Sequence, residues 1–283
     1  MHLSFGAMGI TTISPFSTTL LSILALATSS LFASAIPVHH LEGVTFGFLV
    51  MRDLDGHAIA YGRLKQAVKP GDPVITDDVQ FEFKDGSYYH EITRFTQRGI
   101  FRLVSDHVVK KGPSFKQQSE SWIDARSGKI TVRDLGNGKQ STKQMALPPD
   151  VSNGLLFILV KNMNPSAAET TVAMVAASDK PRVVKLVFTP AEEKTVKVGT
   201  LEFKAQHYVM KVKIEGVAGK VAPLVGKQPP DSNFWVIKSE SPTFAEFEGP
   251  VSADSPVWRI ELVAPESDRG DTQAEQKKSS SPQ

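Results

Sequence analysis

Cysteine is absent from all 283 residues. That excludes disulfide staples, thiol nucleophiles, thiolate metal sites and the lipidated cysteine of a bacterial lipoprotein. Charge of one sign is also missing: 32 Lys and Arg face 30 Asp and Glu, with no long basic stripe. Nucleic acid is therefore not an expected partner. A Gly-x-Ser-x-Gly elbow is absent, and the glycines fall in hairpins rather than between a strand and a helix. Serine-hydrolase chemistry, a P-loop and a dinucleotide fingerprint are excluded on those grounds, and no cofactor is expected.

Residues 1–35 contain no Asp, Glu, Lys or Arg. Their apolar run "LLSILALATSSLFASA" ends in Ala33-Ser34-Ala35, the small-x-small pattern that signal peptidase accepts. These features predict a signal peptide cleaved after Ala35, and export to the periplasm or beyond. The region before the run carries His2 where Lys or Arg is usual. The alternative, an uncleaved anchor from Leu20 to Ile36, is barely long enough to span a bilayer and is diluted by Ser and Thr. No later segment is a transmembrane candidate, so after cleavage any membrane contact would not be a span.

From Ile36 onward apolar residues recur with period two, and a hydrophobic fraction of 41% is enough for an ordinary core. Val79, Phe81 and Phe83 share one face, and Asp85-Gly86 suits a hairpin. In "GIFRLVSDHVV", Phe101, Leu103, His107 and Val109 fall in phase, with Arg102 and Asp106 on the other side. Tyr208, Met210, Val212 and Ile214 oppose Lys211 and Lys213, and Trp258, Ile260 and Leu262 line a last strand. One segment, "LPPDVSNGLLFILVKNMN", reads as a helix with Asp150 or Ser152 as N-cap and Lys161 near its end. It is apolar on nearly every side and must be buried on more than one face. The expectation is an all-β fold: a strongly curved antiparallel sheet or half-barrel with one central apolar helix, forming a single domain over 36–265. From 266 onward large apolar residues vanish, which predicts a disordered tail to 283. An Arg269-Gly270-Asp271 triplet inside it is short enough to arise by chance.

Candidates for chemistry are sparse. Asp53 and Asp55 before Gly56 loosely follow a calcium loop, but the further oxygen ligands are missing and a solvated hairpin turn fits better. His39 and His40 could hold a transition metal only weakly. His107, on an apolar face, reads as a core histidine or as a polar group in a ligand cavity, and His90 beside Glu91 is equally open. Asp77-Asp78 and Glu192-Glu193 are neighbours, and neighbours on a strand point to opposite faces. No catalytic constellation or metal site emerges, so the chain is read as no enzyme. A hydrolase using His107 or His90 would need a carboxylate and a nucleophile within hydrogen-bond reach.

The segment "GVAGKVAPLVGKQPPD", 216–231, is a connection of unusual length whose apolar residues and prolines suit packing over the open end of the sheet or reaching toward a membrane or partner. With the helix it would enclose a concave apolar site for a hydrophobic ligand. The residues assigned to that site are Phe81, Phe83, Phe101, Leu103, His107, Leu156, Leu159, Val221 and Leu224. Segments such as "FEFKDGSYYHEITRF" and "GKQPPDSNFWVI", with this order of strands and helix, resemble uncharacterised exported bacterial envelope proteins. Their fold is similar to that of the Lol-type lipoprotein carriers. The resemblance is architectural and covers roughly 41–264. It implies a half-open barrel that cradles acyl chains beneath short helices, and no binding motif transfers by position. The function expected is non-catalytic binding or transport of a lipid-like ligand. The alternative is a structural or assembly protein of the envelope with a protein partner.

Overall fold

The computed structural model describes residues 35–214, 229–252 and 254–264. Positions 1–34, where a signal peptide is expected, those from 265 onward, where a tail is expected, and 215–228 with Val221 and Leu224 lie outside the described residues.

Alternation is the local rule that builds the sheet. The strand Ile75–Phe83 buries Ile75, Asp77, Val79, Phe81 and Phe83 and leaves the residues between them at least partly exposed. The described residues form fourteen strands, several of them with this alternation. The first eight are β1 (Thr45–Arg52), β2 (Ala58–Val68), β3 (Ile75–Phe83), β4 (Tyr88–Arg98), β5 (Ile100–Lys111), β6 (Ser119–Asp124), β7 (Lys129–Asp134) and β8 (Gln140–Gln144). After a short helix, α1 (Leu156–Leu159), come β9 (Thr170–Ala176), β10 (Arg182–Val198), β11 (Leu201–Lys213), β12 (Ser232–Ile237), β13 (Thr243–Pro250) and β14 (Val257–Val263).

All belong to one antiparallel sheet of order β8-β7-β6-β5-β4-β3-β2-β1-β14-β13-β12-β11-β10-β9. Two meanders, β1–β8 and β9–β14, are joined where β1 pairs with β14, from Phe48 opposite Val263 to Arg52 opposite Arg259. The sheet is not closed: β8 and β9, consecutive in the chain, are its two opposite edges. The segment between them therefore has to run from one edge to the other, and α1 lies on that path.

The helix is much shorter than the apolar run that encodes it. It makes one α turn and then a 3-10 turn over Val160–Asn162, with Leu155 rather than Asp150 or Ser152 at its N-cap position. Gly154 just upstream has a φ of +68°, which breaks a right-handed helix. The expected capping side chains are used elsewhere. Ser152 donates from its amide and its hydroxyl to the Ala173 carbonyl, at 2.9 and 2.7 Å. Asp150 accepts from the Ala173 amide, and Asn153 exchanges two hydrogen bonds with Val175. These contacts cover part of the exposed edge of β9, where unpaired backbone would otherwise invite another strand.

Leu155, Ile158, Leu159, Val160 and Met163 are all buried, so the turn does bury more than one face. Phe157 stacks on Phe244 with ring centroids 4.2 Å apart and meets Phe234 and Phe247 edge-on. Gly62 illustrates how closely the inner face packs, because a Cβ there would strike the Phe81 ring and the Gln80 carbonyl. Among the described residues no helix is long and apolar enough to cross a membrane.

Candidate functional site

A cavity of about 590 Å³ lies between the inner faces of the two meanders. Its wall on the first meander includes Val79, Phe81, Val108, Ile123 and Val132; Phe234, Phe247 and Ile260 face them from the second. Leu156 and Phe157 of α1 and Met174 of β9 complete the apolar lining. Size and lining both fall in the range of sites for small apolar ligands. Exposed Gln117, Ser178, Lys180 and Arg182 also border it, which places its opening between the β5–β6 loop and the β9–β10 turn.

Two carboxyl groups face this apolar space. Glu91 on β4 and Asp106 on β5 both line it. The Tyr89 hydroxyl donates to Glu91 Oε2 at 2.9 Å, and the Thr93 hydroxyl donates to Asp106 Oδ1 at 3.0 Å. Burial raises the pKa of both acids. The Glu91 charge raises Asp106 further, while the hydroxyl hydrogen bonds act in the opposite direction. Asp106 is 4% exposed and Thr93 is 1% exposed.

A third inward acid, Asp77 on β3, has its Oδ1 buried with no hydrogen-bond partner among the described residues. Burial, then the Glu91 charge, push it up to about 8; Lys161 pulls it down. Lys161 is itself held by Glu42 at 2.7 Å. Gln66, opposite Asp77 on β2, turns its side-chain amide toward the same Glu42. Asn162 Oδ1 accepts the amides of His39 and His40, so this polar network pins the first described residues to the end of the helical segment.

The structure corrects the expected orientation of His107. In the β4–β5 pairing, Arg94 lies opposite Ser105 but Phe95 lies opposite Leu103, leaving Val104 as an extra residue. Such a bulge reverses the phase of everything beyond it. Phe101 and Leu103 point inward before the bulge; after it Asp106, Val108 and Lys110 border the cavity. His107 faces the other side, stacked on Trp122 at 5.0 Å with Nε2 3.0 Å from Glu120 Oε1. It is neither a core histidine nor a cavity group.

Of the other residues assigned to the site, Phe81 and Leu156 line the cavity. Phe83 is buried against Phe115 and Trp258, Phe101 against Phe95, and Leu103 and Leu159 are core residues that do not border it. Glu91 and Asp106 were missed as a pair because only the bulge brings Asp106 to the inner face. His90 turns outward and contacts Asp78 Oδ1 at 2.9 Å, so Asp77 and Asp78 do occupy opposite faces.

Asp53, Asp55 and His57 place their ligand atoms within 4.8 Å of one another on the β1–β2 hairpin. The turn's own bonds explain that grouping: the His57 amide donates to Asp53 Oδ1 at 2.8 Å and Gly56 takes a φ of +90°.

No protein-family model matches the chain, and no curated protein does. Among solved structures the chain is similar to a Bacteroides fragilis protein described as exported and as having a YmcC-like fold. The identity is 9% and the TM-score 0.33, with 81% of this chain and 98% of that one covered. So distant a likeness assigns no function to this chain.

Proposed function

We propose that the protein is an exported, non-catalytic carrier or binding protein for a lipid-like ligand of the bacterial envelope. The observation that carries this reading is the 590 Å³ cavity, which aromatic and aliphatic side chains of both meanders line together with serines and a few charged groups, and which is reached between two loops. A hydrophobic molecule of matching shape would gain contact with these side chains and lose its own exposure to water. The open sheet allows such a ligand to enter without unfolding a closed barrel.

A neutral apolar fluorophore, N-phenyl-1-naphthylamine, tests the reading. Saturable binding at one site per chain is expected, and Met174→Trp, which sets an indole in the cavity wall and narrows the space, should weaken it. Leu156→Asp should weaken it by roughly tenfold or more, the equivalent of about 1.4 kcal/mol. Unchanged binding in folded Met174→Trp protein would place the fluorophore elsewhere and sink the proposal.

The alternative, an assembly protein acting through protein contacts, is favoured by a different feature. Phe46 and Phe48 lie on the outer face of β1, 57% and 41% exposed with their rings 5.0 Å apart, after exposed Leu41 and Val44. Co-purification of a protein with no lipid would favour this second reading.

A further inference from the structure

We propose that the ligand of the cavity is an amphiphilic amine, its protonated nitrogen seated between Glu91 and Asp106 and its hydrocarbon part against Phe81, Leu156 and Phe157. This rests on the reading of the cavity as a hydrophobic-ligand site, and it names the ligand's polar group.

The charges that border or approach the cavity are unevenly placed. Glu91 and Asp106 line it, and Asp77 lies behind them on β3, close enough to feel the Glu91 charge. Among the described residues neither Glu91 nor Asp106 has a cationic partner; each receives one hydroxyl hydrogen bond. The cations nearby are otherwise placed. Lys161 is bound to Glu42, and Lys110 to Asp254 at 3.1 Å, while Lys180 and Arg182 stand exposed at the opening.

Two acids in an apolar wall resist ionisation and repel one another once ionised. Asn or Gln would offer neutral hydrogen bonds at the same positions without that cost. Carboxyl groups are the better choice when a positive charge is to be received, because a charge-assisted hydrogen bond is about twice as strong as a neutral one. An ammonium group also has donors enough for both carboxylates. A carboxylate or phosphate head, by contrast, would offer the two acids no positive charge to ionise against, and would find Lys180 and Arg182 only at the rim. A metal ion is less well served, since Asp77 does not converge with Glu91 and Asp106 on a common point.

Calorimetric titration of the delipidated full chain with dodecylamine, dodecanol and dodecanoate at pH 7 tests this, all three below their micellar concentrations. The amine is expected to bind about tenfold or more tighter than the alcohol, with dodecanoate weakest. In Glu91→Gln/Asp106→Asn protein the amine should fall to the level of the alcohol, whose own affinity should not move. The two amides can still accept the Tyr89 and Thr93 hydrogen bonds, so folding is expected to survive; retained dodecanol binding verifies it. Equal affinities for the three probes, or a preference for dodecanoate, would overturn the amine assignment and leave the hydrophobic cavity standing. Saturable binding of none of them would overturn both.

Discussion

Asp77→Asn should stabilise the protein at pH 8 by on the order of a few kcal/mol and flatten its stability between pH 4 and pH 8. In the folded chain burial and the Glu91 charge hold the Asp77 carboxyl at about 8, against an ordinary value of 3.8. Between those two values the folded state keeps a proton that the unfolded state has released. Stability therefore falls as pH rises, by about 1.4 kcal/mol per pH unit for one fully displaced proton. The contribution is complete below 3.8 and is lost as pH rises through about 8. Glu91 and Asp106 are raised in the same direction and steepen the slope. Asparagine is neutral in both states and removes one share of it. Urea denaturation of both proteins at intervals from pH 4 to pH 8.5 measures the effect. A wild-type stability that climbs over this range, or an Asn variant with an unchanged slope, would contradict the buried protonated acid.

Gly154→Ala is the second large effect, a loss of about 2–5 kcal/mol from two additive causes. At a φ of +68° any L side chain is strained. A Cβ there would also collide with the Thr93 hydroxyl and approach Asp106 Oδ1 at 2.9 Å. Thr93 cannot yield easily, because it is buried and its hydroxyl is committed to Asp106. Denaturation of the single variant and of Gly154→Ala/Thr93→Ala separates the causes: removing the threonine should recover part of the loss beyond the backbone strain. A Gly154→Ala protein within about 0.5 kcal/mol of wild type, the range of an ordinary surface substitution, would show that the segment does not press on the acid pair.

The strands were legible because each half-buried strand writes its inner face as every second residue. Val79, Phe81 and Phe83 or Tyr208 and Met210 could be oriented from spacing alone, and glycine fixed turns such as that at Asp85-Gly86. The same alternation failed in β5, where one extra residue, Val104, moves the inward phase from Leu103 to Asp106. A trace of the change is visible in the residues, since apolar positions shift from Phe101 and Leu103 to Val108. Val109 continues the first phase, however, so periodicity alone could not choose. The helix was overestimated for a related reason. Apolar residues mark burial but not conformation, and the polar residues that look like caps instead satisfy the edge of β9. Asp77 lay in phase with an apolar face and could have been read as a buried acid. Its meeting with Glu91 and Asp106 depends on three strands coming together, which no local pattern encodes.

The measurement closest to the central claim is native mass spectrometry of the protein, expressed with its N-terminal segment in a bacterial host and purified without detergent, followed by organic extraction. The account predicts one lipid-sized molecule per chain, at lower occupancy in Met174→Trp protein prepared in the same way. A monodisperse wild-type chain with nothing bound, which also fails to acquire a ligand from added envelope lipids, would contradict it.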